Sequence, residues 1–209
     1  DKTVYPVASC NDKDFKNLMD VYLDSVFSPN IYKEQNIFRQ EGWNYHLEQP
    51  EGPLKYNGVV YNEMKGAFSS PDEVLEREIM NHLFPDTTYG CESGGDPKNI
   101  PDLTYENFLN FHRTYYHPSN SYIYLYGNRD MEEKLAFLDE HSNFEHLDVD
   151  SAIEEQKAFA ACQDVELEYP VAENESEEDN TYLSYNMVAG NAADSQMAMA
   201  FEVLDYALL

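Results

Sequence analysis

The stretch Gly58-Val59-Val60-Tyr61-Asn62-Glu63-Met64-Lys65-Gly66-Ala67-Phe68 holds the residue best suited to chemistry. Val59, Val60, Met64 and Phe68 recur near helical spacing, so the stretch reads as a helix with Glu63 beside an apolar stripe. Two readings of Glu63 follow. It is an exposed or first-turn glutamate with no special task, or it is a buried carboxylate. Burial of an unpaired carboxylate is costly, so the second reading requires a cation, above all a metal. The stretch alone leaves both open. The histidines do not complete a site by spacing. His141 and His146 are five apart, as are His112 and His117. On a helix, positions i and i+4 lie about 40° apart but i and i+5 about 140° apart, so neither pair faces one metal. His112 and His117 therefore read as packing and turn residues.

A second stretch, Ser93-Gly94-Gly95-Asp96-Pro97, places three small residues in succession. Such a run forms a plain tight turn or lets backbone approach a neighbour closely. Taken together, Asn62-Glu63-Met64-Lys65-Gly66-Ala67-Phe68, this small-residue loop and Tyr115-Tyr116-His117-Pro118-Ser119-Asn120 closely resemble the presequence-protease branch of the insulinase-like, pitrilysin-type M16 zinc metallopeptidases. Thr3-Val4-Tyr5-Pro6-Val7-Ala8-Ser9 and Phe38-Arg39-Gln40-Glu41-Gly42-Trp43 fit the same branch, and the five motifs belong to one resemblance that runs from Asp1 to Leu209.

The resemblance implies that Glu63 is the third protein ligand of a catalytic Zn2+. The two histidine ligands and the general-base glutamate of that family lie in an H-x-x-E-H helix that precedes everything matched here. The chain contains no H-x-x-E-H, and it begins with Asp1 rather than Met. The expectation is a fragment of a longer protein, beginning after the metal helix, with the catalytic residues upstream of Asp1. Its parent would be a zinc metalloendopeptidase degrading unfolded oligopeptides in an enclosed chamber, and the fragment alone would be inactive. The small-residue loop would lie near the substrate groove. The alternative is a non-catalytic M16-like scaffold or peptide-binding module.

Composition bounds the partners. The chain is 209 residues long and 42% apolar, with 17 Tyr and 11 Phe, enough for a real core. Lys and Arg number 13 against 40 Asp and Glu, a net charge of −27. Nucleic acid, which needs a basic face, is excluded as a partner, whereas oligopeptides, basic ones included, fit an acidic surface. Cys10, Cys91 and Cys162 are odd in number and widely spaced, which reads as reduced thiols in an intracellular protein; the expected localisation is the cytoplasm, of a bacterial cell. No apolar run approaches a membrane span.

The positioning elements follow from periodicity and caps. Helices are expected over about 14–27, 31–40, 59–68, 71–83, 105–116, 131–141 and 196–209, with Asn11 or Asp12, Ser70, Thr104 and Asp194 or Ser195 as starts. In the fifth, Phe108, Phe111, His112 and Tyr115 share one side; in the sixth, Leu135 and Leu138 point inward; the last carries apolar Met199, Val203, Tyr206 and Ala207. Ser70, Pro71 and Glu73 have the spacing of a capping box. Strands are expected at Thr3–Ala8, around Trp43, Tyr45 and Leu47 as a half-buried strand, at 121–127, around Val165, Leu167 and Tyr169, and at Tyr182–Val188. Residues 151–161 read as polar, helical or linking, and 173–180 as a solvated acidic hairpin tip. The pattern favours α+β. The resemblance implies an antiparallel sheet backed by helices, a partial LuxS/mitochondrial-processing-peptidase-like metallohydrolase unit. Residues 1–152 would be the C-terminal part of the first M16-type unit, and 153–209 a linker and the start of a second, the remaining units being partners in the same chain.

Overall fold

The computed structural model describes residues 2–141, 144–171, 176 and 178–208. It contains α1 (Asp12–Phe27), α2 (Gln35–Glu41), β1 (Asn44–His46), β2 (Lys55–Asn57), α3 (Val59–Ala67), α4 (Pro71–Leu83), α5 (Tyr105–Tyr115), α6 (Met131–His141) and α7 (Ser195–Leu208). Short 3-10 turns stand at Asn30–Tyr32, Thr88–Gly90, Ile100–Asp102 and Pro118–Asn120. Two compact units emerge: Asp1–Ser70 with Glu92–Glu155, and Pro71–Cys91 with Gln156–Leu209.

In the first unit the helices begin where their capping residues put them. The Asn11 side chain accepts from the Asp14 N–H at 3.0 Å to start α1. Thr104 and Asn107 form a reciprocal capping box on α5. β1 and β2 pair antiparallel, with Tyr45 opposite Tyr56. The core is small: Met19 of α1, Phe38 of α2, Leu109 of α5 and Ile100 in the turn before α5 are buried. Phe38 packs its ring against Phe108 and Tyr105 at centroid distances of 5.5 and 6.1 Å.

His112 joins this core, as its reading as a packing residue required. Its Nε2 lies 2.8 Å from the Val26 carbonyl and its Nδ1 2.7 Å from the Tyr32 hydroxyl. A carbonyl only accepts, so the proton sits on Nε2, and the neutral ring accepts the Tyr32 proton at Nδ1. Tyr116 stacks on the ring at 4.7 Å. The Tyr116 hydroxyl in turn accepts from Tyr5 at 3.1 Å, which ties the N-terminal segment down. Partial burial and this bond push the Tyr5 phenol up to about 12.

The inward face of α6 matches the expected one in part: Leu138 is half-buried, but Leu135 is not. Leu135 is 57% exposed, while Lys134 is buried against the Phe15 ring, 5.9 Å from its centroid. Arg129 stacks on the same ring at 5.0 Å, contacts Asp12 and donates to the Ser9 carbonyl. Cation–π contact and ion pairing thus take the place expected for Leu135 where α6 meets α1. On α5, Leu109 and His112 are the buried residues, and Phe111 is 60% exposed.

The second unit holds α4, α7 and extended segments. Pro71 opens α4 with Asp72 and Glu73 in the first turn. The Gln156 side-chain amide binds Asp86 at both its carboxylate and its backbone N–H. Tyr169 and Tyr182 meet edge to face at 5.6 Å. Every described residue of α7 is exposed, the apolar ones included. Glu178 and Asp179 are exposed, and the rest of the expected acidic run, Glu173, Glu175 and Glu177, lies outside the described residues.

The chain is mostly helical, with one two-stranded antiparallel sheet among the described residues. The strands expected at 3–8, 121–127, 165–169 and 182–188 carry no ladder, and 151–161 forms no helix. Tyr122, Tyr124 and Tyr126 are almost fully exposed. Alternation marks a segment that can join a sheet, but a strand exists only where another strand takes its hydrogen bonds.

His112→Ala should lower the stability of the chain by about 2 kcal/mol, because it strands the Val26 carbonyl and the Tyr32 hydroxyl. Nitrogen-15 NMR of His112 should show Nε2 protonated; a proton on Nδ1 alone contradicts the assignment. Tyr5 sets an alkaline limit. Below pH 10 its phenol is neutral folded and unfolded; between 10 and about 12 only the unfolded chain ionises, so stability falls across that window. Tyr5→Phe should flatten that part of a stability–pH curve.

Candidate functional site

Helix α3 is positioned by a close backbone approach at Gly58. Gly58 precedes it with φ 153°, and a Cβ there would lie 2.2 Å from the Gly42 carbonyl oxygen and 2.8 Å from Trp43 Cα. Only glycine fits that approach. The Asn62 N–H donates to the Gly58 carbonyl at 2.9 Å and starts the helical ladder. The Asn62 amide also reaches Asn57 Oδ1 at 2.9 Å, joining α3 to the end of β2.

One flank of α3 is covered. Met64 and Phe68 are half-buried, and the small-residue loop packs on Met64: a Cβ on Gly94 would meet its Sδ at 2.2 Å. Gly95, at φ 89°, turns the loop over buried Ile100. The run of small residues is thus a close approach, and its neighbour is the residue after Glu63.

The other flank is open. Glu63 is exposed and, among the described residues, makes no hydrogen bond or ion pair. One turn before it, Val59 is 52% exposed; three residues after it, a Cβ on Gly66 would meet nothing within 4 Å. Of the two sequence readings, this chain alone realises the exposed carboxylate. As one oxygen donor Glu63 suits a divalent metal; as a complete site it does not, since no group of three His, Cys, Asp or Glu among the described residues could hold one.

The histidines go elsewhere. His117 caps the turn at Pro118–Asn120, its Nδ1 accepting from the Ser119 N–H. His141 donates from Nδ1 to the Phe137 carbonyl and faces Asp20, whereas His146 faces Ser119 and Asp148. The three cysteines are free and exposed, and among the described residues no helix is long and apolar enough to cross a membrane.

Comparison with known proteins decides the family. The model described as Peptidase M16 inactive domain matches residues 102–209. The chain belongs to the M16 peptidase family. Protein HypA of Clostridium perfringens is 57% identical over all of this chain and 22% of its own length. Presequence protease 1, chloroplastic/mitochondrial, of Arabidopsis thaliana is 43% identical over all of the chain and 20% of its own length. The mitochondrial presequence protease of Xenopus laevis is 39% identical over 98% of the chain, again 20% of its own length. These relatives place the chain in the presequence-protease branch, and it spans roughly a fifth of their length. Glu63 lies before the stretch that the inactive-domain model matches.

The two glycines of α3 make opposite predictions. Gly58→Ala should cost more than about 2 kcal/mol through backbone strain and the clash with Gly42. Gly66→Ala should raise stability by up to about 1 kcal/mol, because a helical glycine with open space gains from a methyl group. Urea melts of both variants beside the parent check the pair; destabilisation by Gly66→Ala would mean that its face is not open.

Proposed function

We propose that this chain is part of an M16-family zinc metalloendopeptidase of the presequence-protease branch. The enzyme degrades unfolded oligopeptides, basic ones among them, in an enclosed chamber, and this chain contributes Glu63 as the third protein ligand of the metal. The observation that carries the reading is the open flank of α3. Among the described residues Glu63 stands there unpartnered between a bare glycine and an exposed valine, on a helix fixed from behind by Gly58 and the Gly94 loop. A carboxylate so placed, with no partner among the described residues, suits one from another part of the polypeptide. The names of the relatives support peptide substrates, and their length leaves room for further M16 units.

On this reading two histidines and a general-base glutamate come from another part of the polypeptide. The bound zinc supplies water activation and carbonyl polarisation. Glu63 brings a negative charge and a fixed direction, and Met64 in the loop contact keeps α3 from rotating that direction away. Residues 1–152 belong to the later part of one α+β unit with helices backing an antiparallel sheet, and 153–209 to a linker and the start of the next. The protein works in the cytoplasm. The match of 102–209 to an inactive-domain model favours a second reading, a non-catalytic scaffold or peptide-binding module.

The purified 209-residue chain should neither bind zinc tightly nor cleave peptides, since a catalytic site takes three protein ligands. Chelator-sensitive peptidase activity in it would overturn the ligand assignment. In the longer parent protein, Glu63→Gln should remove most of the zinc and lower turnover by orders of magnitude at unchanged melting temperature, while Glu73→Gln in α4 should leave both near normal. Zinc content, turnover and melting of the two variants decide. Zinc and turnover retained in Glu63→Gln would favour the scaffold reading.

A further inference from the structure

The hairpin that leads into α3 carries an aromatic cluster with one face in solvent. Tyr45 and Tyr56 stand opposite each other in the β1–β2 register and stack at 5.5 Å, 30° between planes. Trp43 meets both edge to face, at 5.4 and 5.8 Å, and Tyr61 of α3 meets Tyr56 at 5.8 Å. The Trp43 indole N–H donates to the Leu103 carbonyl at 2.9 Å, so the floor of the cluster is fixed. Yet Tyr45 is 61% exposed and Tyr56 45% exposed. The 3-10 turn Ile100–Asp102 ends directly before Leu103, whose carbonyl accepts the Trp43 N–H, so exposed Asp102 stands at the edge of the cluster; its charge helps raise the Tyr56 phenol, after Tyr45 and burial.

Rings at right angles around an open π-face, with a carboxylate at the edge, form the arrangement that holds an organic cation. Among the described residues no cation sits over these rings. The chain's excess of acid over base favours a positive occupant. A planar guanidinium suits the pair better than an ammonium, because it can stack on a tyrosine and still bind Asp102 through its edge.

We infer that Trp43, Tyr45, Tyr56 and Asp102 form a subsite for an arginine side chain of a bound peptide. The inference deepens the peptidase reading by naming a side chain its substrates carry, and it rests on that reading only for its use, because binding can be measured without turnover.

Trp43 is the single tryptophan of the chain and therefore reports the site. The 209-residue protein is titrated with a blocked peptide of alternating arginine and alanine, and with the same peptide bearing neutral citrulline for arginine, at low salt. The arginine peptide should change Trp43 emission saturably, and citrulline should bind about tenfold more weakly. Tyr45→Ala should weaken binding severalfold, and so should Asp102→Asn, which leaves the hairpin rings intact and guards against a folding defect. Tyr45→Phe should retain most of the affinity. Glu63→Gln should leave the titration unchanged, which separates this result from the fate of the metal-ligand reading. Equal binding of the citrulline peptide overturns the inference, as does calorimetric binding with silent Trp43 emission. Emission that depends on protein concentration without peptide means that a second copy covers the rings, and it overturns the inference too.

Discussion

Apolar surface must be covered by something, and the supply of cover governs this chain. Cover is missing at particular residues: Tyr122, Leu183 and Tyr206 stand almost bare. The core of the first unit survives because three helices enclose it. Phe38, Leu109 and His112 are buried there, and Phe38 and His112 find aromatic or hydrogen-bonded neighbours within that unit. In the second unit α7 has no buried residue among those described, so its helical form rests on local propensity alone. On the reading proposed above, the missing cover is the rest of a polypeptide about five times as long.

The same constraint sorts what a sequence can and cannot reveal. Helices are legible because their hydrogen bonds are internal and their starts are written in single residues. Asn11, Thr104 and Pro71 mark α1, α5 and α4 at or within two residues of the expected positions. Strands are legible only as capacity. The alternation at 121–127 and 165–169 is real, but a strand's hydrogen bonds belong to its neighbour. The β1–β2 pair forms because both partners lie within 14 residues of chain, Asn44 to Asn57. The sixth helix shows a different limit. Counting leucines finds Leu138, which is half-buried, but also exposed Leu135, and it misses the lysine stem buried on Phe15, because amphipathic side chains do not announce which way they lie.

For the proposed site, the sequence singles out Glu63 and rejects the histidine pairs on spacing alone. It reads the small-residue loop as either a turn or a close approach, and Gly94 against Met64 resolves that choice. The aromatic cluster is half legible. Trp43 and Tyr45 alternate plainly, but Tyr56 lies across a hairpin, and register is a property of the pair. The expectation of a half-buried strand also hides the exposed face of Tyr45.

Charge gives the last step. The protein has few cations and uses them on rings: Arg129 and Lys134 on Phe15, Lys16 near Phe137, Arg113 over Tyr32. Each of these cations also faces a carboxylate, Arg129 with Asp12, Lys134 and Lys16 with Glu133 and Arg113 with Glu106, so ring and acid hold the positive group together. On the inference above, Tyr45 and Tyr56 beside Asp102 would hold an arginine by the same pairing of ring and carboxylate that Arg129 finds in Phe15 and Asp12.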